Sequence, residues 1–191
     1  DNVEIPKIIK VNDNKNIVLD LNGYNIEHKG AFVFDIYNAR FHVTGTGTIF
    51  ENAIDQYAPI MARGASSDIK DYTVITIDKG VTLKGDYSGI FVAKDENGGY
   101  NNYGLVINMS GAIDLSTIGN ADDENYGYGL YVNGQNVKND GNTPVINLDG
   151  AEVKGATCGI YAAGYAKWNV INSNIEGATG IEIRAGELNI E

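Results

Sequence analysis

KNIVLDLNGYNIE, residues 15 to 27, alternates apolar and polar side chains as a β-strand does, breaks at Asn22-Gly23 and resumes for only a few residues. Two such runs joined by Asn-Gly are the strongest short-range signature of a β-hairpin. The rest of the chain argues against that reading, because the phrase returns with variations. VITIDKGVTLKG (74 to 85), LVINMSGAIDL (105 to 115), PVINLDGAEVKG (144 to 155) and WNVINSNIEG (168 to 177) are copies of it. A third short piece follows most copies: SGIFVA from 88, YGLYVN from 128, CGIYAA from 158 and TGIEIR from 179. Each unit therefore has three short legs separated by Gly, Asn or Asp corners, the pattern of a repeat architecture.

Aligning the copies puts seven first-leg triplets in register: Leu19-Asp20-Leu21, Phe41-His42-Val43, Ile75-Thr76-Ile77, Ile107-Asn108-Met109, Ile146-Asn147-Leu148, Trp168-Asn169-Val170 and Leu188-Asn189-Ile190. Their outer members should point inward and the middle residue outward. Second legs contribute one inward group each, at Ile26, Leu83, Leu115, Val153 and Ile175. Third legs align as Phe32-Val33-Phe34, Ile60-Met61-Ala62, Ile90-Phe91-Val92, Leu130-Tyr131-Val132, Ile160-Tyr161-Ala162 and Ile181-Glu182-Ile183. One unit cannot bury its apolar side alone. Stacked units share a core, with strands of successive coils spaced by roughly 4.8 Å. Asn22-Gly23 then turns a corner of a coil and does not reverse the chain onto itself.

Composition agrees. At 191 residues the chain suffices for one domain with a sizeable core, and 43% hydrophobic against 20% charged residues excludes wholesale disorder. Glycine is high at 24 and proline low at three, as expected if many corners need positive φ while strands keep their backbone donors. The expected class is all-β, one β-helix domain over 1–191, with 1–14 forming a cap or an irregular first coil. Net charge is −11 with scattered Lys and Arg, which excludes a nucleic-acid footprint and disfavours anionic membranes. No apolar run is long enough for a membrane span. Cys158, alone, makes no internal disulfide. The start at Asp1 and the closing AGELNIE (185 to 191), which begins another first leg, lead us to expect a piece of a longer solenoid.

This pattern resembles the right-handed parallel β-helix of the pectin-lyase-like superfamily. IVLDLNGYNI and the recurring Gly-apolar-aromatic third leg are similar to repeats in large cell-surface proteins of Gram-positive bacteria. The resemblance covers residues 15 to 191 and implies an extracellular location on the bacterial surface. For activity it implies little, since lyases, hydrolases, tailspikes and adhesins share the fold. Lyases of this family need an acidic calcium cluster and an arginine base; Arg40, Arg63 and Arg184 fall in no such motif. Of the hydrolase motifs only Asp122-Asp123 is present, in a loop with Asn120, Glu124 and Asn125. Two carboxylates suit acid and base roles; a solvated acidic loop is the plainer reading. Asp122, Asp123 and Glu124, or Asp95, Glu96 and Asn97, offer oxygen ligands that suit calcium, at a spacing matching no known loop. His42 falls beside Asp20 in the alignment, a local pair, and both His28 and His42 read otherwise as solvent-exposed.

Two surfaces stand out. On the third leg Val33, Met61, Phe91, Tyr131 and Tyr161 line up outward before Glu182, an apolar and aromatic stripe that is either an open interaction surface or a small core covered by loops. On the first leg Asp20, His42, Thr76, Asn108, Asn147, Asn169 and Asn189 form a polar ladder of structural character. Insertions cluster after the third legs, at 64–72, 94–103 and 134–143, with others at 50–58 and 116–128, and insertions at equivalent corners commonly build a binding face. They carry Tyr100, Asn101, Asn102, Tyr103, Tyr126 and Tyr128, a mixture able to stack on sugar rings and hydrogen-bond their hydroxyls. The expectation is a non-catalytic adhesin or stalk contacting a glycan or a host protein, through these residues together with Asp122, Asp123, Phe91, Tyr131 and Tyr161. The alternatives are a polysaccharide lyase or hydrolase and a purely structural spacer. No cofactor is expected, calcium being the one candidate ion.

Overall fold

A computed structural model describes residues 2–52, 57–67, 72–116, 127–138 and 143–191. The chain winds as a right-handed parallel β-helix, in which three seven-stranded sheets each receive one strand per coil. The first-leg sheet contains Asn16–Asp20, Arg40–Thr44, Thr73–Ile77, Leu105–Met109, Val145–Asp149, Lys167–Ile171 and Glu187–Ile190. Asn2–Glu4, Asn25–His28, Gly47–Glu51, Val81–Lys84, Ala112–Asp114, Glu152–Lys154 and Asn174–Glu176 make the second-leg sheet. Third legs are Ile9–Val11, Phe34–Ile36, Ile60–Ala62, Ser88–Val92, Tyr128–Val132, Cys158–Ala162 and Thr179–Ile183. Residues 2–4 and 9–11 thus already supply two legs of a coil.

The Asn-Gly corner shows why the hairpin reading fails. Asn22 and Gly23 both have positive φ, 45° and 84°, and Tyr24 N donates to Leu21 O at 2.7 Å, closing a tight turn. The legs leaving it enter different sheets, and each pairs with the coil above: Leu21 N donates to Thr44 O and Gly23 N to Thr46 O. Every strand pairing in the three sheets is parallel.

Five inward columns run through the stack. In the first-leg sheet Phe41, Ile75, Ile107, Ile146 and Trp168 share one column, and Val43, Ile77, Met109, Leu148 and Val170 the next. All ten are at most 3% exposed. Three alignments need correction, each by two residues. Ile17-Val18-Leu19, not Leu19-Asp20-Leu21, pairs with Phe41-His42-Val43. Ile113, not Leu115, continues the column of Leu83 and Val153. Phe34-Asp35-Ile36, not Phe32-Val33-Phe34, pairs with Ile60-Met61-Ala62, so Asp35 takes the outward place expected of Val33, which is buried. A slip of two leaves the side-chain parity of a strand unchanged, so alternation alone cannot detect it.

The glycine of the third-leg motif has a packing cause. In Tyr128–Val132 the rings of Tyr128 and Tyr131 both reach the outer surface, while Gly129 and Leu130 face inward, a bulge of two consecutive inward residues. A Cβ on Gly89 would strike Ile113, one on Gly129 would strike Val153, and one on Gly159 would lie 2.5 Å from Ile175 Cγ2. The inward glycine is the notch into which the second-leg side chain of the next coil fits.

Outside the second-leg sheet, charges alternate from coil to coil. Lys84, Asp114, Lys154 and Glu176 follow one another, with Lys84 Nζ 3.6 Å from Asp114 and Lys154 Nζ 3.9 Å from Glu176. Because the glycine notch is filled, Gly159→Ala should lower stability by about 1–3 kcal/mol through overpacking, read as a lower denaturant midpoint with unchanged slope.

Candidate functional site

Three outer faces carry three chemistries. On the first-leg face Asn169 Nδ2 donates to Asn147 Oδ1 and Asn147 Nδ2 to Asn108 Oδ1, each at 2.8 Å. This amide ladder continues the stacking and is structural. Val18, not Asp20, occupies its first place, as the two-residue slip requires. His42 accordingly meets Asp78, Nε2 to Oδ2 2.8 Å, and not Asp20, whose Oδ1 accepts from Asn22 N. The Asp78 carboxyl lies below its usual value: partial burial opposes ionisation, and hydrogen bonds from His42 and Thr44 outweigh it. His28 is 6% exposed and not solvated as expected; its Nδ1 accepts from Ala31 N at 3.1 Å at the bend after its strand. Cys158 is buried, which pushes its thiol up to about 11.

On the third-leg face Phe91, Tyr131 and Tyr161 do stand in one outward column, half-buried, between Met61 and Glu182. The column is flanked by an ion pair at one end, Arg63 Nε to Asp35 Oδ1 at 2.9 Å. The rings form a ladder parallel to the coil axis. Phe91 and Tyr131 centroids are 5.2 Å apart at 27°, Tyr131 and Tyr161 5.2 Å at 20°, and Tyr128 and Tyr161 4.9 Å at 18°. Phe32 lies 6.3 Å beyond Phe91 at 4°, and the Arg184 guanidinium sits 5.1 Å over Tyr161 at the other end. Tyr87 packs edge-on against Phe91, Tyr128 and Tyr131. Each ring face therefore meets a neighbouring ring or the guanidinium. A sugar stacks on a ring face, and the faces of Phe91, Tyr131 and Tyr161 are turned toward neighbouring rings or the guanidinium.

Burial disfavours the charged phenolates in this ladder, pushing Tyr128 up to about 12 and raising Tyr87 and Tyr161 too. Sequence reading counted Tyr128 with the inserted loop as well as at the start of its third leg, placed Phe32 inward in a third-leg triplet, found Arg184 in no lyase motif and did not single out Tyr87. The Tyr-Gly-Leu-Tyr copy of the motif was the available signal, since in Tyr128–Val132 the bulge brings the residue before the glycine outward.

The inserted corners after the third legs are braced by buried amides. Asn102, fully buried with φ 48°, accepts from Gly64 N at 2.7 Å and donates to Ala93 O at 2.7 Å and Asn136 Oδ1 at 2.5 Å. Asn136 in turn donates through Nδ2 to Asn133 O at 3.0 Å, and its own carbonyl accepts from Tyr165 N. Ala65 and Tyr103 exchange antiparallel backbone bonds, and Val137 N donates to Tyr100 O. Corners of successive coils are thereby locked together. Asn102, expected at the surface, is the fully buried centre of the lock.

Asp95 is likewise turned inward and fully buried, accepting from the backbone N–H groups of Asn97, Gly99 and Asn101, while Glu96 accepts from Ser66 N. Asp95 and Glu96 thus commit carboxylate oxygens to loop structure, and Asn97 Nδ2 donates to Ser66 Oγ. Among the described residues no three His, Cys, Asp or Glu side chains converge as metal ligands. Tyr100, Asn101 and Tyr103 are half-buried at the rim of this unit. Lys94 Nζ lies 5.4 Å over Tyr100 and Lys138 Nζ 5.4 Å over Tyr165, with Val137, 53% exposed, beside them. Asp122, Asp123, Glu124 and Tyr126 lie outside the described residues.

No family model, no curated protein and no solved structure matches this chain.

Two outcomes follow from the geometry. Asn102→Ala leaves buried donors and acceptors unpaired and should cost about 1–3 kcal/mol, with amide hydrogen exchange accelerated at 64–66 and 93–103. Tyr128, raised above the ordinary 10.0, contributes stability that is complete below about pH 10 and is lost as pH climbs toward about 12, because the unfolded chain ionises first. Alkaline denaturation monitored by phenolate absorbance should show this loss, and Tyr128→Phe should shrink it.

Proposed function

We propose that the chain is a non-catalytic segment of a pectin-lyase-like β-helix from a Gram-positive bacterial surface protein, serving as an adhesin that contacts a glycan or host surface. The observation that carries this reading is the amide lock around Asn102 and Asn136, which holds the corners of consecutive coils as one unit. A loop spending buried amides on rigidity lowers the ordering cost of recognition. At its rim stand Tyr100, Asn101, Val137 and Tyr165 with Lys94 and Lys138, aromatic and polar groups of the kind that engage sugars. Contact is assigned to this rim and not to the aromatic ladder, whose ring faces are occupied. The acidic pair Asp122 and Asp123 remains part of the proposal from its sequence position alone.

The test is a glycan array and an attachment assay with the purified chain, alongside a screen of acidic and neutral polysaccharides for new reducing ends or unsaturated products. Binding without turnover is the expected result, and turnover or silence on both would overturn it. Tyr100→Ala should weaken binding about tenfold, the loss of one contact worth about 1.4 kcal/mol. Tyr131→Phe should leave affinity unchanged.

A further inference from the structure

The ladder on the third-leg face holds a chemistry independent of what the rim binds. Tyr128, Tyr131 and Tyr161 stack within 4.9–5.3 Å across two consecutive coils, and Tyr87 closes the cluster edge-on at 5.4 Å from Tyr131. The strand register sets Tyr131 directly beside Tyr161, and the rings of Tyr128 and Tyr131 both lie against that of Tyr161, so phenols of successive coils are held as near neighbours. Phe91 and Phe32, without a phenol, bound the group on one side, and Arg184 bounds it on the other. The three tyrosines are half-buried, so each lies nearer to its neighbours in the cluster than to a ring of another molecule. By contrast, Tyr24 and Tyr72 are about half exposed, 50% and 51%, and among the described residues neither has an aromatic neighbour.

We propose that this cluster is a site of oxidative cross-linking, in which Tyr161 is joined to Tyr128 or Tyr131 by a carbon–carbon bond stapling one coil to the next. Each of the two phenols gives up one electron and its hydroxyl proton, forming two tyrosyl radicals. The two rings turn about their side-chain torsions from face-to-face to edge-to-edge, and the radicals couple Cε to Cε. The hydrogen on each coupled carbon then moves to the ring oxygen as a proton, restoring two phenols. The two electrons and two protons released reduce one hydrogen peroxide to two waters through a haem peroxidase, the class of oxidant required.

The experiment treats the whole chain, dilute, with hydrogen peroxide and a haem peroxidase, follows the blue bityrosine fluorescence and maps the linked peptides by tandem mass spectrometry. The expected result is a cross-link within one molecule that joins Tyr161 to Tyr128 or Tyr131, with a mass loss of two hydrogens. Tyr161→Phe keeps a ring in the ladder but cannot form the radical, so that link should vanish while the strand content by circular dichroism is unchanged. Links found only between molecules, or only at Tyr24 or Tyr72, would overturn the proposal. So would an unaltered yield in Tyr161→Phe, or an absence of bityrosine in the chain while free tyrosine in the same mixture is converted.

Discussion

Coil-on-coil contact is the constraint on which this structure rests. A coil presents five inward side chains and three short strands, and neither the apolar groups nor the backbone donors are satisfied until another coil lies above and below. The gradient of exposure along one column makes the dependence visible. Ile75, Ile107 and Ile146, flanked on both sides, are fully buried, whereas Ile17 and Leu188 in the terminal strands of the same sheet are 38% and 39% exposed. Trp168 fills the same column where its neighbours are isoleucine and leucine, so width is adjusted locally while register is not.

That constraint explains what was legible in the chain before any coordinates. Repeats reveal themselves because each coil must answer the same geometric demand, and six of the seven first-leg triplets occupy the expected columns. The misplaced segments lie where corners differ in length or where a strand offers apolar residues at three successive alternate positions. Ile17, Leu19 and Leu21 are such a set; any two of them satisfy the pattern, and only pairing with Phe41 and Val43 decides. The consequences are chemical: the third-leg slip puts Asp35 in an outward row read as apolar, and the first-leg slip exchanges Asp20 for Asp78 as the neighbour of His42.

The candidate site was legible as a set of residues and not as an arrangement. Outward alternation identified the column of Phe91, Tyr131 and Tyr161, but periodicity says nothing about which way a ring is turned. A repeat of roughly 4.8 Å is too long for ideal van der Waals stacking of planes and short enough that neighbouring rings still cover one another. Edges are what remains for solvent. Asn102 was misjudged for a related reason: asparagine in an Asn- and Gly-rich loop suggests a solvated turn, yet its left-handed backbone and short amide let it bridge three corners from within.

The alternating column of Lys84, Asp114, Lys154 and Glu176 bears on assembly of the solenoid more than on its final stability. Each pair is too exposed to contribute much once the coils are in place. Apolar columns built from near-identical residues would, however, accept a strand that skipped a neighbour almost as readily as the proper one. Skipping one coil would set Lys84 against Lys154 and Asp114 against Glu176. The surface charges thus add a weak parity check on winding, favouring each strand's proper neighbour over the next one along.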